Sequence, residues 1–130
     1  MKAWSELKER PHVSFVKTDN SEFYVNHGVK IERFNDGRIE VKNTMTNSDH
    51  YEDVPWEILQ IFKEVGFDHG AFAVCSYVHK NRADKVMYNI ELALRDDRTE
   101  LAARLNDTYL KVFNKHLDYE ERISKLSSSL

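Results

Sequence analysis

The chain contains one cysteine, two prolines and four glycines among its 130 residues, and each scarcity closes a class of explanation. A lone Cys75 can make neither an internal disulfide nor a cysteine-rich zinc site. Four glycines leave little backbone to wrap a phosphate. No GxGxxG, GxxxxGK(S/T) or GxSxG pattern occurs, which argues against the common nucleotide enzymes and serine hydrolases. The six histidines form no HExxH or HxxxH pair, so each reads as a surface or core imidazole before it reads as a ligand. No metal and no cofactor is expected, no catalytic residue is assigned, and the reading leans away from an enzyme. There is no apolar run of membrane-spanning length and no signal-like or transit-like start. The expectation is therefore a cytoplasmic protein with no membrane attachment.

The chain also lacks an excess of positive charge. Nineteen basic side chains face twenty-two acidic ones for a net charge of −3, and counterion release, the term that drives polyanion binding, needs the opposite balance. What the chain does have is 41% hydrophobic and 12% aromatic residues, enough to bury a core. We expect one domain over residues 1–126, with 127–130 a flexible serine tail that has nothing to bury.

Taken in order, residues 3–9 suit a short helix carrying Trp4 and Leu7 on one side, stopped by Pro11. Residues 12–18 alternate as a strand and end at Asp19-Asn20-Ser21. From 22 to 34 the pattern predicts one strand with a bulge or bend at Gly28. Asn35-Asp36-Gly37 then predicts a primed hairpin turn into a strand over 38–43. Residues 44–53 are polar and irregular, with room for a short extra pairing. Pro55 opens a helix striped by Ile58, Leu59, Ile61, Phe62 and Val65, and Gly66 closes it. Over 71–94, Val86, Tyr88, Ile90, Leu92 and Leu94 alternate with Lys85, Met87, Asn89, Glu91 and Ala93. That period of two predicts a second hairpin turning at 81–84, with two helices as the alternative because alanine, leucine, glutamate and methionine also favour helix.

The fold class that follows is α+β: an antiparallel sheet, made of an N-terminal three-stranded meander plus a second hairpin, packed by an amphipathic helix and a long C-terminal helix. This order of elements resembles the layout of type III secretion chaperones. The resemblance implies a small acidic homodimer that holds partner polypeptides.

The long helix, 96–126, organises the functional reading. Asp96 or Asp97 is expected to cap its N-terminus. Leu101, Leu105, Tyr109, Val112, His116, Tyr119, Ile123 and Leu126 form one stripe, expected to cover the sheet. Ala102, Leu110, Phe113 and Leu117 form a second beside it, and together they span roughly 200° of the helix, twice the usual apolar arc. Leu110, Phe113 and Leu117 are therefore the candidate partner-binding residues, and a homodimer is the simplest arrangement that covers them. The alternative is that the short helix carrying Trp4 and Leu7 folds over that stripe.

Two other stretches are candidates for chemistry. Lys30, Arg33, Arg38 and Lys42, with Phe34, fall in the hairpin 29–42 and offer a nucleic-acid face that Glu32 and Glu40 dilute; ordinary cross-strand ion pairing is the competing account. Asp49, His50, Glu52 and Asp53 are metal-binding residue types in a loop, although their spacing fits no metal signature and acidic residues before a helix usually cap it. The leading functional expectation is a non-enzymatic binding or regulatory protein acting by protein association, such as a chaperone, an adaptor or a virus-encoded inhibitor of a host enzyme. Nucleic-acid binding through 29–42 comes second, and a metal-dependent hydrolase using 49–53 third.

Overall fold

The computed structural model describes residues 15–44 and 50–128; the expected helix over 3–9, the beginning of the first strand and residue Asp49 lie outside that range. The described chain is α+β. Five strands, β1 (Phe15–Lys17), β2 (Ser21–Asn26), β3 (Val29–Phe34), β4 (Ile39–Asn43) and β5 (His50–Tyr51), pair antiparallel in chain order. Three helices follow: α1 (Trp56–Glu64), α2 (Phe67–Arg95) and α3 (Thr99–Ser128).

The strand expected over 22–34 is two strands. His27 and Gly28 both lie at positive φ, 50° and 76°, while Asn26 pairs with Val29, so the primed two-residue turn is here. At Asp36-Gly37, by contrast, only Gly37 has positive φ, 91°. Phe34 and Arg38 close that longer loop through a 2.8 Å N–H to carbonyl bond. The short extra pairing after residue 44 is β5, with Lys42 opposite Tyr51.

Register sets the core. Phe15, Tyr24, Ile31 and Val41 stand side by side across β1 to β4 on the face that meets the helices, and Tyr24 and Ile31 are fully buried. Helix α1 adds Phe62, whose ring lies so close to Gly70 of α2 that a Cβ there would fall 2.5 Å from it. Gly66, at φ 138°, bends the chain between the two helices after Val65 and Gly66 both donate to the Ile61 carbonyl.

The second hairpin over 71–94 does not form; the segment lies within α2. Ala71, Phe72, Val74, Cys75, Ser76, Val78, His79, Ala83, Ile90 and Ala93 are the buried residues there, and at about 100° per residue they fall on one side of a helix. The alternation was a coincidence of composition, because Tyr88 and Leu92, counted as inward in a strand, are 60% and 37% exposed. With that hairpin gone, the order of elements on which the chaperone resemblance rested is not the observed one.

Asp96 and Asp97 also act differently from expectation. Asp97 adopts φ 56°, its N–H donates to the Leu94 carbonyl at 3.2 Å, and the Arg98 N–H donates to the Ala93 carbonyl at 2.8 Å. This is a Schellman closure of α2. Helix α3 starts only at Thr99, with the Arg98 carbonyl accepting from Ala102 at 3.0 Å.

Helices of 29 and 30 residues run about 44 Å, whereas a six-residue strand covers about 20 Å. The antiparallel pair α2–α3 therefore overhangs the sheet. Near the sheet the core joins Tyr24, Ile31 and Val41 to Phe72, Val74 and Tyr119. In the overhang a second cluster of Ile90, Ala93 and Ala102 is flanked by Met87, Leu101, Leu105 and Tyr109. The first stripe of α3 thus does not cover the sheet along its length. Only Tyr119, Ile123 and Leu126 join the core that the sheet lines, and Leu101, Leu105 and Tyr109 pack in the cluster shared with α2.

Candidate functional site

Helix α3 turns one side to α2 and leaves a row of apolar side chains outside. Leu110 and Leu117 are 49% and 48% exposed. Between them Phe113 is half-buried, stacked on Tyr109 at 5.6 Å and tilted against His116 at 5.5 Å. The position of this row is fixed from beneath. The Ser76 hydroxyl of α2 donates to Glu120 at 2.5 Å; His116 Nδ1 lies 2.9 Å from that hydroxyl and 3.0 Å from the Ser76 carbonyl, and because a carbonyl can only accept, Nδ1 carries a proton and donates.

Ser76, His116 and Glu120 are the residue types of a hydrolytic triad, but their order is wrong. In a working triad the imidazole takes the hydroxyl proton and the carboxylate orients the imidazole. Here the hydroxyl gives its proton directly to the carboxylate, the imidazole is spent on a carbonyl, and Ser76 is buried. The group clamps α2 to α3. Cys75 is no better a nucleophile: complete burial pushes its thiol up to about 12, so the thiolate is scarce at neutral pH.

The hairpin cations separate. Lys30, Arg38 and Lys42 belong to the sheet face away from the helices, whereas Arg33 alternates to the inner face. There Arg33 pairs with Glu22, donates to the Phe62 carbonyl at 3.3 Å and lies over the Phe67 ring. Four cations on one surface is therefore not what forms. The three outer ones each sit against an aromatic ring, Lys30 on Phe23 at 4.9 Å, Arg38 on Phe34 at 4.3 Å and Lys42 on Tyr51 at 5.3 Å. Between β3 and β4 directly opposite positions carry like charge, Lys30 with Lys42 and Glu32 with Glu40, so the cross-strand ion pair is the one between β2 and β3, Glu22 with Arg33. Lys30 instead reaches Glu32 along its own strand at 3.7 Å.

Of the acidic loop, Glu52 faces Arg82 at 3.9 Å, and its N–H donates to the Val41 carbonyl, which ties it to the sheet. Among the described residues no group of three or more His, Cys, Asp or Glu is placed to hold a metal ion. No helix among them is long and apolar enough to cross a membrane.

The most concentrated polar chemistry is a cluster that the sequence does not single out. Tyr24 and Tyr119, both fully buried, join hydroxyls at 2.6 Å. Asn26 Nδ2 donates to Tyr24 at 3.2 Å, and Tyr119 lies 2.9 Å from His27 Nδ1. His79 stacks on the Tyr119 ring at 5.6 Å and 11°. Arg82 donates to the carbonyls of His27 and Gly28 at 3.1 and 3.0 Å. Burial, followed by the charge of Arg82, holds His79 down to about 3. Tyr24 and Tyr119 are 95 positions apart and Arg82 is 55 from His27; the stripe expected to cover the sheet includes Tyr119, but no local signal names Tyr24, His27, His79 and Arg82 as what it meets. No protein-family model, curated protein or solved structure matches the chain.

Proposed function

We propose that this chain is a non-enzymatic protein-binding module whose docking face is the outer row of α3, Leu110, Phe113 and Leu117, and whose simplest occupant is a second copy of itself. The observation that carries the reading is the half exposure of Leu110 and Leu117 on a helix whose other large apolar side chains are covered. Exposed apolar area costs on the order of 25 cal/mol per Å², and a contiguous row of it marks a contact. A stable interface buries about 800 Å² per partner, so these three residues form its centre rather than its whole extent. A two-fold axis across α3 sets each row against its equivalent and closes the assembly. The Leu110→Glu, Leu117→Glu double variant is expected to keep its helical content and its melting temperature within a few degrees while losing association in sedimentation equilibrium. A double variant that unfolds instead would place the row in the core of a monomer.

The open sheet face supports a second reading, because cations interleaved with aromatic rings are the side chains that grip single-stranded nucleic acid. Glu32 and Glu40 share that face and the net charge is −3. We therefore expect only weak binding. An anisotropy titration showing tight binding that falls steeply with salt, and that Lys30→Glu with Lys42→Glu abolishes, would reverse the ranking.

A further inference from the structure

The hydroxyl chain at the base of the β2–β3 turn has a direction that its own hydrogen bonds impose. Asn26 Oδ1 accepts the His27 backbone N–H at 2.9 Å, which leaves only the amide Nδ2 to face Tyr24, as a donor at 3.2 Å. Tyr24 then passes its own proton to Tyr119 across 2.6 Å, and Tyr119 passes its proton to His27 Nδ1 across 2.9 Å. Each hydroxyl in this arrangement has an acceptor, provided that His27 Nδ1 is bare and the ring carries its single proton on Nε2.

A protonated His27 turns the chain around. Nδ1–H would donate to Tyr119, Tyr119 would donate to Tyr24, and the Tyr24 hydroxyl, already receiving from Asn26, would hold a proton with no oxygen or nitrogen acceptor among the described residues. The Cys75 thiol, which is hydrogen-bonded to Tyr119 rather than to Tyr24, is the one other outlet for the Tyr119 proton among the described residues, and it is a weak acceptor. An unmet hydroxyl at a fully buried tyrosine is costly.

The charges around the turn press the same way. Helix α3 faces it with Lys115, Asp118 and Arg122, and α2 with Arg82 and His79. Asp118 favours a charged His27 but is tied to Arg122 at 3.0 Å, and Glu52 is turned to Arg82. Behind the turn His79 is 1% exposed, and its Nε2 has no hydrogen-bond partner among the described residues.

We infer that the Asn26–Tyr24–Tyr119–His27 chain is an acid-released latch: it holds the β2–β3 turn against α2 and α3 while His27 is neutral, and protonation of His27 lets the turn lift. Burial, then Lys115 and Arg122, lower the affinity of His27 for a proton, so the open or unfolded chain takes up that proton first, near pH 6.5. Docking is therefore complete above about pH 6.5 and is lost as pH falls. Each imidazole refused by the closed form raises the open-to-closed ratio by at most about tenfold per pH unit, between its open and its closed pKa.

Hydrogen exchange of the strand amides flanking the turn, corrected for the intrinsic rate, tests this between pH 7.5 and 5. The intact protein should lose protection there as pH falls below about 6.5, by up to about tenfold per unit for His27, while Ile90 and Ala93 in the overhang keep theirs. An asparagine in place of His27 tolerates the left-handed backbone and keeps a carboxamide oxygen for Tyr119, so His27→Asn should make the slope shallower, by up to about tenfold per unit. A slope of zero in the intact protein, or an unchanged slope in His27→Asn, overturns the latch. Imidazole ¹⁵N spectra of the unmodified protein at pH 7.5 give an independent reading. Nε2–H with bare Nδ1 at His27 is expected, and a proton on Nδ1 contradicts the direction of the chain.

Discussion

Asp97 is the residue whose backbone does what its side chain does not favour. Its φ of 56° is the left-handed position that closes helices, a place glycine fills at no steric cost and other L-residues occupy at about 1–2 kcal/mol. Its neighbours hold it there through the two bonds that end α2. We expect Asp97→Gly to raise the melting temperature slightly and Asp97→Val to lower stability by about 1–2 kcal/mol, as measured by urea denaturation; equal effects would mean the closure is not strained. The sequence showed a pair of acidic residues before a helical stretch, and the usual reading is an N-cap. It could not show that the helix before them was unbroken, and that is what makes them a C-terminal closure. Arg33 illustrates the same limit. The sequence groups it with Lys30, Arg38 and Lys42 as one face, although three positions along a strand put it on the face opposite Lys30, and its bond to the Phe62 carbonyl depends on a helix twenty-nine positions away.

At the scale of elements, α1 and α3 were legible from strong local signals, Pro55 before an apolar stripe and a long run at helical spacing, and the meander was legible in part: its alternation marked strands, while nothing in it marked the turn at His27-Gly28 as more than a bend. Helix α2 was not, since Val86, Tyr88, Ile90, Leu92 and Leu94 satisfy a period of two while the buried set satisfies 3.6. Ala83 separates the two accounts. It is fully buried in mid-helix, so Ala83→Pro removes a helical hydrogen bond and inserts a ring into the turn before it, at about 3 kcal/mol or more. In a hairpin turning at 81–84 the same change would be mild. Likewise Ile90→Ala should cost about 2–4 kcal/mol and Tyr88→Ala less than about 0.5, whereas a strand would place both on one face with similar cost. Thermal melts of the three variants distinguish the alternatives. The candidate face on α3 was legible in part: the breadth of the apolar arc pointed to Leu110, Phe113 and Leu117. The inward turn of Phe113 toward Tyr109 and His116 was not, because it follows from where α2 lies.

At the scale of the whole molecule, a five-stranded sheet and one short helix hold the base of a helix pair that extends well past them. The base is a dense aromatic core, while the overhang rests on three well-buried residues and a partly covered fringe. Such a construction exposes an apolar row along α3, and the proposed association rests on that row. Light scattering coupled to size exclusion, run across a hundredfold range of protein concentration, tests that claim most directly. The account predicts a mass approaching twice 15.3 kDa as concentration rises; a mass that stays at 15.3 kDa throughout would contradict it.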